Sequence, residues 1–147
     1  MVKTLSRMLT LVALSMIAVF SLAANANAAY YVYPSLHNGG TTAPDDNIII
    51  HDVTWSGSYY PQIASPVAPS STNSGTFHTV QQYGYSYLTF YATFDDAASP
   101  ANTCLFTFSV NNSTGAVSGA VASHTSGNNV TCSVPSSTSV NFTMSRP

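Results

Sequence analysis

The sequence has very little charge, and it contains no glutamate at all. Its 147 residues include only three Lys or Arg and five acidic residues. Without glutamate there is no HExxH zinc motif, which needs that residue as its general base. Nucleic-acid binding needs a basic surface, so we expect no nucleic-acid partner. The acidic residues are all aspartates: Asp45, Asp46, Asp52, Asp95 and Asp96.

Long apolar runs are also missing, except at the start of the chain. Lys3 and Arg7 lead into the apolar run of residues 8–22, which is followed by Ala26-Asn27-Ala28. A basic start, an apolar segment and a small-x-small site predict a secretory signal peptide over residues 1–28. The run is shorter than the ~20 residues of a membrane span, so we expect no span in the mature chain. The predicted location is extracellular or periplasmic.

Removal of this segment leaves one predicted domain over residues 29–147. Lys3 and Arg7 leave with the signal, so its formal charge is 1 − 5 = −4, with Arg146 as the only basic charged side chain. Frequent Val, Ile, Phe and Tyr distinguish the segment from a disordered chain. Its polar residues are mostly Ser, Thr, Asn and Gly, which is typical of an uncharged extracellular surface.

Cysteine occurs only twice, at Cys104 and Cys132. An even number of cysteines in an exported chain predicts a disulfide. The alternating pattern of the last third places both residues in the core-facing register, and we expect them on neighbouring strands of a C-terminal meander.

Helical periodicity is almost absent, and apolar residues instead recur at every second position. Cys104, Phe106, Phe108 and Val110 alternate with polar residues, and Asn111–Gly115 follows as a turn signal. Short alternating segments with turns every ~8–12 residues predict an antiparallel all-β fold. We expect a single β-sandwich, or a flattened barrel, of about seven to nine strands.

One segment carries a row of tyrosines, in the stretch QYGYSYLTFYATF. Alternate residues of a strand point to opposite faces. One face would then carry Leu88, Phe90, Ala92 and Phe94, and the other would carry the tyrosines. The tyrosine face is either covered by a second layer or exposed as a binding strip. The candidate ligand-binding residues are Tyr83, Tyr85, Tyr87 and Tyr91, with Trp55 as a residue that could widen the patch.

Catalytic motifs are lacking, so we predict no enzymatic activity. There is no nucleophile elbow, and the histidines lack the spacing of a helical zinc site. His51 and Asp52 are adjacent in a predicted strand, and we expect their side chains on opposite faces and unpaired. The aspartate pairs Asp45-Asp46 and Asp95-Asp96 fit turn chemistry. They are also weak candidates for calcium, which takes six to eight oxygen ligands; otherwise no cofactor is expected.

These observations favour an exported, non-enzymatic β-sandwich acting at the cell surface or in the extracellular matrix. Its predicted partners are other copies of itself, through self-association, or a host surface or polysaccharide, through adhesion. One alternative is a carbohydrate-binding module with the tyrosines as its platform. Another is a small secreted hydrolase or toxin.

Overall fold

A computed structural model describes residues 29–40, 46–59, 61–80, 83–95, 102–127 and 129–146. Within these ranges the chain forms ten strands, and Asp46 is the one residue in a helical conformation. The predicted signal segment, residues 1–28, lies outside them and stays a prediction. None of the residues in these ranges forms a helix long and apolar enough to cross a membrane.

The strands form two sheets, as the alternating sequence pattern predicts. The larger sheet contains β1 (Tyr31–Val32), β2 (Ser35–Asn38), β4 (Gln62–Ile63), β5 (Thr72–His78), β9 (Thr131–Ser133) and β10 (Asn141–Ser145). The smaller sheet has the order β3-β6-β7-β8, with β3 (Ile48–Trp55), β6 (Tyr85–Phe94), β7 (Thr103–Asn111) and β8 (Val117–Ser126). All pairs of the smaller sheet are antiparallel.

The described strands outnumber the seven to nine that the sequence predicts. β1 and β2 pair with β5 in one continuous register, from Tyr31↔His78 to His37↔Thr72. They are therefore one strand interrupted at Pro34, which has no N–H to contribute to a ladder. The two-residue β4 adds a further short piece on β5. One pair, β2 with β10, is parallel, although the sequence predicts an antiparallel fold.

A phenylalanine-rich core lies between the two sheets. Leu88, Phe90, Ala92 and Phe94 of β6 are all buried, so the predicted phase of this strand is confirmed. Phe106 and Phe108 of β7 are buried in the same way, and the large sheet contributes residues such as Phe142. The Phe106 and Phe142 rings lie 5.0 Å apart between centroids, a spacing that favours aromatic contacts.

Cys104 and Cys132 form the predicted disulfide, but the prediction that they lie on neighbouring strands of one meander is wrong. Cys104 is on β7 of the small sheet, and Cys132 is on β9 of the large sheet. The chain leaves the small sheet after β8 and crosses to the large sheet before β9. Sequence phase places both sulfurs toward the core, but it does not say which sheet each strand joins.

Candidate functional site

The tyrosines of β6 lie on an exposed face. We define the tyrosine strip as Tyr85 and Tyr87 of β6, which are 62% and 48% exposed, together with Tyr83, which is 79% exposed and precedes the strand beyond Gly84. Ser86 and Leu88, which alternate with them, are buried. The Tyr85 and Tyr87 rings therefore lie on the outer surface of the four-stranded sheet, and none of the described residues forms a second layer over them.

Tyr91, the fourth tyrosine of the predicted row, is only partly exposed. Its ring stacks on His51 of the neighbouring strand, with centroids 5.9 Å apart and an interplanar angle of 18°. Thr89 separates Tyr91 from the strip on the same face. Tyr91 thus extends the aromatic row, but one of its ring faces is used within the protein.

Uncharged polar side chains lie beside the strip on β7. Tyr85 is paired with Asn111 and Tyr87 with Ser109, so these side chains share the outer face. Thr89 and Thr107 follow, with their hydroxyl oxygens 2.9 Å apart. This part of the surface combines exposed rings with hydroxyl and amide groups.

A hydrogen-bonded chain of polar groups lies at the other end of this face. His51 Nδ1 is 2.8 Å from Asp52 Oδ2, and His51 Nε2 is 2.8 Å from Thr93 Oγ1. Thr93 Oγ1 is also 2.8 Å from Thr103 Oγ1. The prediction that His51 and Asp52 cannot pair is wrong. Asp52 has a φ of 49°, and the β3–β6 register shifts after His51, so this bulge turns the carboxylate toward the imidazole.

The Asp52-His51-Thr93 order is that of an acid, base and nucleophile in hydrolases. Two features argue for a structural function instead. Thr93 Oγ1 is already shared with Thr103, and β6 is paired on both edges, so its backbone N–H groups serve the ladders. Many hydrolases stabilise an oxyanion with free backbone N–H groups. We interpret this row of hydrogen bonds as a structural contact that joins β3, β6 and β7.

The same bulge separates Trp55 from the tyrosine strip. Trp55 is paired with the buried Leu88, so it shares the core-facing side of the sheet rather than the tyrosine side. It remains 37% exposed because β3 is an edge strand. Trp55 is the candidate for widening the patch, but it lies on the opposite side of the sheet from Tyr85 and Tyr87.

The structure describes two of the candidate calcium ligands, Asp46 and Asp95, and their segments meet where the Asp95 N–H donates to the Asn47 carbonyl at 2.7 Å. Asp46 is buried, and its Oδ1 lies 3.0 Å from Nη1 of Arg146. Arg146 also packs on Phe94, with its guanidinium carbon 4.6 Å from the ring centroid. Asp95 is exposed, while Asp45 and Asp96 lie outside the described residues. No cluster of three or more His, Cys, Asp or Glu occurs within the ranges given above.

A second group of aromatic residues lies on the outer face of the large sheet, and sequence reasoning missed it. Tyr31, Tyr33 and Tyr59 are 57%, 62% and 67% exposed. Tyr31 and Tyr33 alternate in the stretch YYVY, which is the same signal that revealed the strip. Tyr59 belongs to a different segment of the chain, and only the fold brings it close to β5.

Comparison with known proteins adds no relative. No protein-family model matches the chain, and no curated protein or solved structure is significantly similar to it. The candidate function therefore depends on the geometry of the surface alone.

Proposed function

We propose that this chain is an exported, non-enzymatic adhesion domain that binds neutral polysaccharide through the outer face of its four-stranded sheet. The observation that carries the proposal is the pair of exposed rings Tyr85 and Tyr87 on β6, with exposed Tyr83 just before the strand. Contiguous exposed aromatic area on a soluble domain is typical of an interaction site.

The spacing of the row suits an extended chain ligand. Side chains two apart on a strand repeat about every 6.5–7 Å on one face. A sugar ring presents C–H groups on its faces, and these stack on tyrosine rings, while the phenol hydroxyl offers a hydrogen bond. A polysaccharide lying along β6 would meet successive tyrosines without bending.

The groups around the strip favour a neutral ligand. Asn111 and Ser109 are the β7 partners of Tyr85 and Tyr87. Asn111 Oδ1 accepts from the N–H groups of Ser113 and Thr114, and Ser109 Oγ donates to the Ser118 carbonyl, so the groups offered to sugar hydroxyls are the Asn111 Nδ2 donors and the Ser109 Oγ lone pairs. Neither strand carries a Lys or Arg, so a phosphate or a uronic acid would find no cation there.

The proposal is tested by binding of the oxidised residue 29–147 domain to a panel of insoluble neutral polysaccharides, such as cellulose, xylan, chitin and β-1,3-glucan. We expect Tyr85→Ala and Tyr87→Ala to weaken binding by about tenfold or more each, equivalent to ~1.4 kcal/mol. Tyr85→Phe keeps the ring and should retain most of the affinity. Val121→Ala, an exposed change on β8 of the same sheet, is the control. Absence of binding to the whole panel, or unchanged binding by both alanine variants, would refute the proposal.

Self-association is the second candidate, and the edge strand β8 favours it. β8 runs over ten residues without Asp, Glu, Lys or Arg, and among the described strands it forms a ladder with β7 alone, with the Ala120 N–H also donating to the Ser137 carbonyl. Long, uncharged edge strands are templates for pairing with another chain. Light scattering over a range of protein concentration tests this function. Growth in mass would support it, and a monomer at every concentration would exclude it under those conditions.

A further inference from the structure

The outer face of the large sheet contains a groove of about 420 Å³. Its volume lies within the ~300–1,000 Å³ range of small-molecule sites. We call it the Tyr33–Tyr59 groove. Its lining includes Tyr33, Tyr59, Gln62, Ser74, Thr76 and His78.

The segment between β3 and β4 holds Tyr59 at one side of the groove. The Ser58 N–H donates to the carbonyl oxygen of His78 at 3.1 Å, and Ser58 Oγ donates to the carbonyl of Thr79 at 2.8 Å. Gly57 allows this close approach, because a Cβ there would collide with the His78 carbonyl. Tyr59 follows directly after this anchor, so its backbone is held against β5.

His78 is fixed by rings on two sides. The Tyr31 ring lies 4.1 Å away between centroids at 63°, and the Tyr59 ring lies 5.2 Å away at 74°. Both are edge-to-face arrangements, which are favourable aromatic geometries. The imidazole therefore sits in a defined place in the groove before any ligand binds.

The opposite part of the groove is formed by β1, β4 and β5. The continuous register of the interrupted first strand places Tyr33 opposite Thr76. β4 places Gln62 beside Thr76 from the other edge of β5. Gly75 permits this crossing, because a Cβ there would collide with the carbonyl oxygen of Gln62.

We propose that the Tyr33–Tyr59 groove is a second saccharide site, which takes one or two rings of a neutral polysaccharide. The tyrosines supply stacking surfaces. The Gln62 amide, the Ser74 and Thr76 hydroxyls and the His78 imidazole supply donors and acceptors for sugar hydroxyl groups. The lining residues carry no Asp, Lys or Arg, which favours a neutral sugar over a charged ligand.

The two sites lie on opposite sides of the domain. The tyrosine strip is on the outer face of the four-stranded sheet, and the groove is on the outer face of the large sheet, with the core between them. A single strand of polysaccharide cannot pass through the core. One monomer would therefore hold two polysaccharide chains and link them. This linking rests on the proposed function of the strip, whereas the groove site does not.

Calorimetry with neutral hexasaccharides of the cellulose, xylan and β-1,3-glucan series tests the groove, using the oxidised domain. We expect the wild type to bind two ligands. Tyr33→Ala and Tyr59→Ala should each weaken binding at the groove by about tenfold or more, and Tyr85→Ala should weaken binding at the strip by a similar factor. Gln62→Ala is a second groove variant, which loses only hydrogen bonds and should weaken the groove site. Thermal melting of each variant checks that it is folded.

The outcomes separate the two sites. If the wild type binds one ligand, and if binding is lost in Tyr85→Ala but unchanged in the groove variants, the groove proposal is overturned and the strip proposal stands. If the wild type binds one ligand, and if binding is lost only in the groove variants, the groove proposal is supported and the strip proposal is overturned. Absence of binding to every hexasaccharide overturns both.

Linking is measured by capture of a labelled soluble polysaccharide onto polysaccharide-coated beads. We expect the wild type to capture it, and both Tyr59→Ala and Tyr85→Ala to reduce capture by about tenfold. Unchanged capture by Tyr59→Ala, together with loss of its calorimetric site, would overturn linking by the monomer while retaining the groove as a site.

Discussion

Cys104 on β7 and Cys132 on β9 are bonded across the core, so one covalent link joins the small sheet to the large sheet. The two sheets otherwise meet through side-chain packing such as Phe77 on Phe108, whose ring centroids are 5.5 Å apart. The link lies near the carboxyl-terminal strands, where β9 has only three residues. It therefore anchors a short edge strand that has few ladder contacts of its own.

Removal of this disulfide should destabilise the domain. The bonded residues are separated by 28 positions, and the chain-entropy model gives a contribution of about 3.5 kcal/mol for such a loop. We expect the Cys104→Ala/Cys132→Ala double variant to lose about that much free energy of unfolding in a urea titration. The reduced wild type is the matched control and should show a similar loss. A loss of under about 1 kcal/mol in both would contradict an anchoring function.

Arg146 should be required because it neutralises a buried carboxylate. Asp46 is buried, and Arg146 both pairs with it and covers the Phe94 ring. Removal of one partner of a buried pair takes away the opposite charge that offsets the other. We expect Arg146→Met to lower the free energy of unfolding by about 3 kcal/mol. Asp95→Asn removes an exposed charge and should change the free energy of unfolding by less than about 0.5 kcal/mol. Similar losses in Arg146→Met and Asp95→Asn would contradict a stabilising contact between Arg146 and Asp46.

Much of the small sheet can be predicted from sequence, because strict alternation gives each side chain its face. The phase of β6 and β7 follows directly from the alternation of Phe90 and Phe106 with polar or tyrosine neighbours. Alternation fails on β3 at a single residue. Asp52 adopts a positive φ, and every later side chain of the strand changes face, including Trp55. Aspartate tolerates that conformation, but the local sequence does not require it.

The groove could not be predicted for a different reason. Its residues come from segments that are distant in sequence, and they meet only because β1 and β4 both pair with β5. Periodicity gives the face of each residue, and it does not give strand order. Gly57 and Gly75 mark the two close approaches that build the groove, yet glycine alone does not say which backbone comes near.

The bulge on β3 gives a prediction at Asp52. Its φ of 49° is unfavourable for residues with a Cβ, and glycine adopts it without this penalty. Asp52→Ala and Asp52→Gly both lose the contact with His51, so their difference reports the backbone alone. We expect the glycine variant to be more stable than the alanine variant by about 1 kcal/mol in chemical denaturation. Equal stability of the two variants would argue against a positive φ at residue 52 and therefore against the bulge.

Calcium should not stabilise the domain through Asp46. The Asp46 carboxylate is buried and engaged by Arg146, so a cation would have to displace the guanidinium. We expect the melting temperature to be the same in millimolar calcium and in excess chelator. Magnesium at the same concentration controls for ionic strength. A rise specific to calcium, and absent in Asp46→Asn, would show that Asp46 contributes to a metal site.

Truncation of a side chain on each face of β6 should lower the free energy of unfolding by very different amounts. Phe90 is fully buried and lies 5.3 Å from Phe106 between ring centroids, whereas Tyr87 is half exposed on the other face of the strand. We expect Phe90→Ala to cost about 3–5 kcal/mol of unfolding free energy. Tyr87→Ala should cost less than about 0.5 kcal/mol, because it leaves no cavity. Denaturant titration of both variants measures the contrast. A loss above about 1.5 kcal/mol in Tyr87→Ala would mean that the tyrosines support the fold itself, and that weakened polysaccharide binding by strip variants could not be assigned to a lost contact.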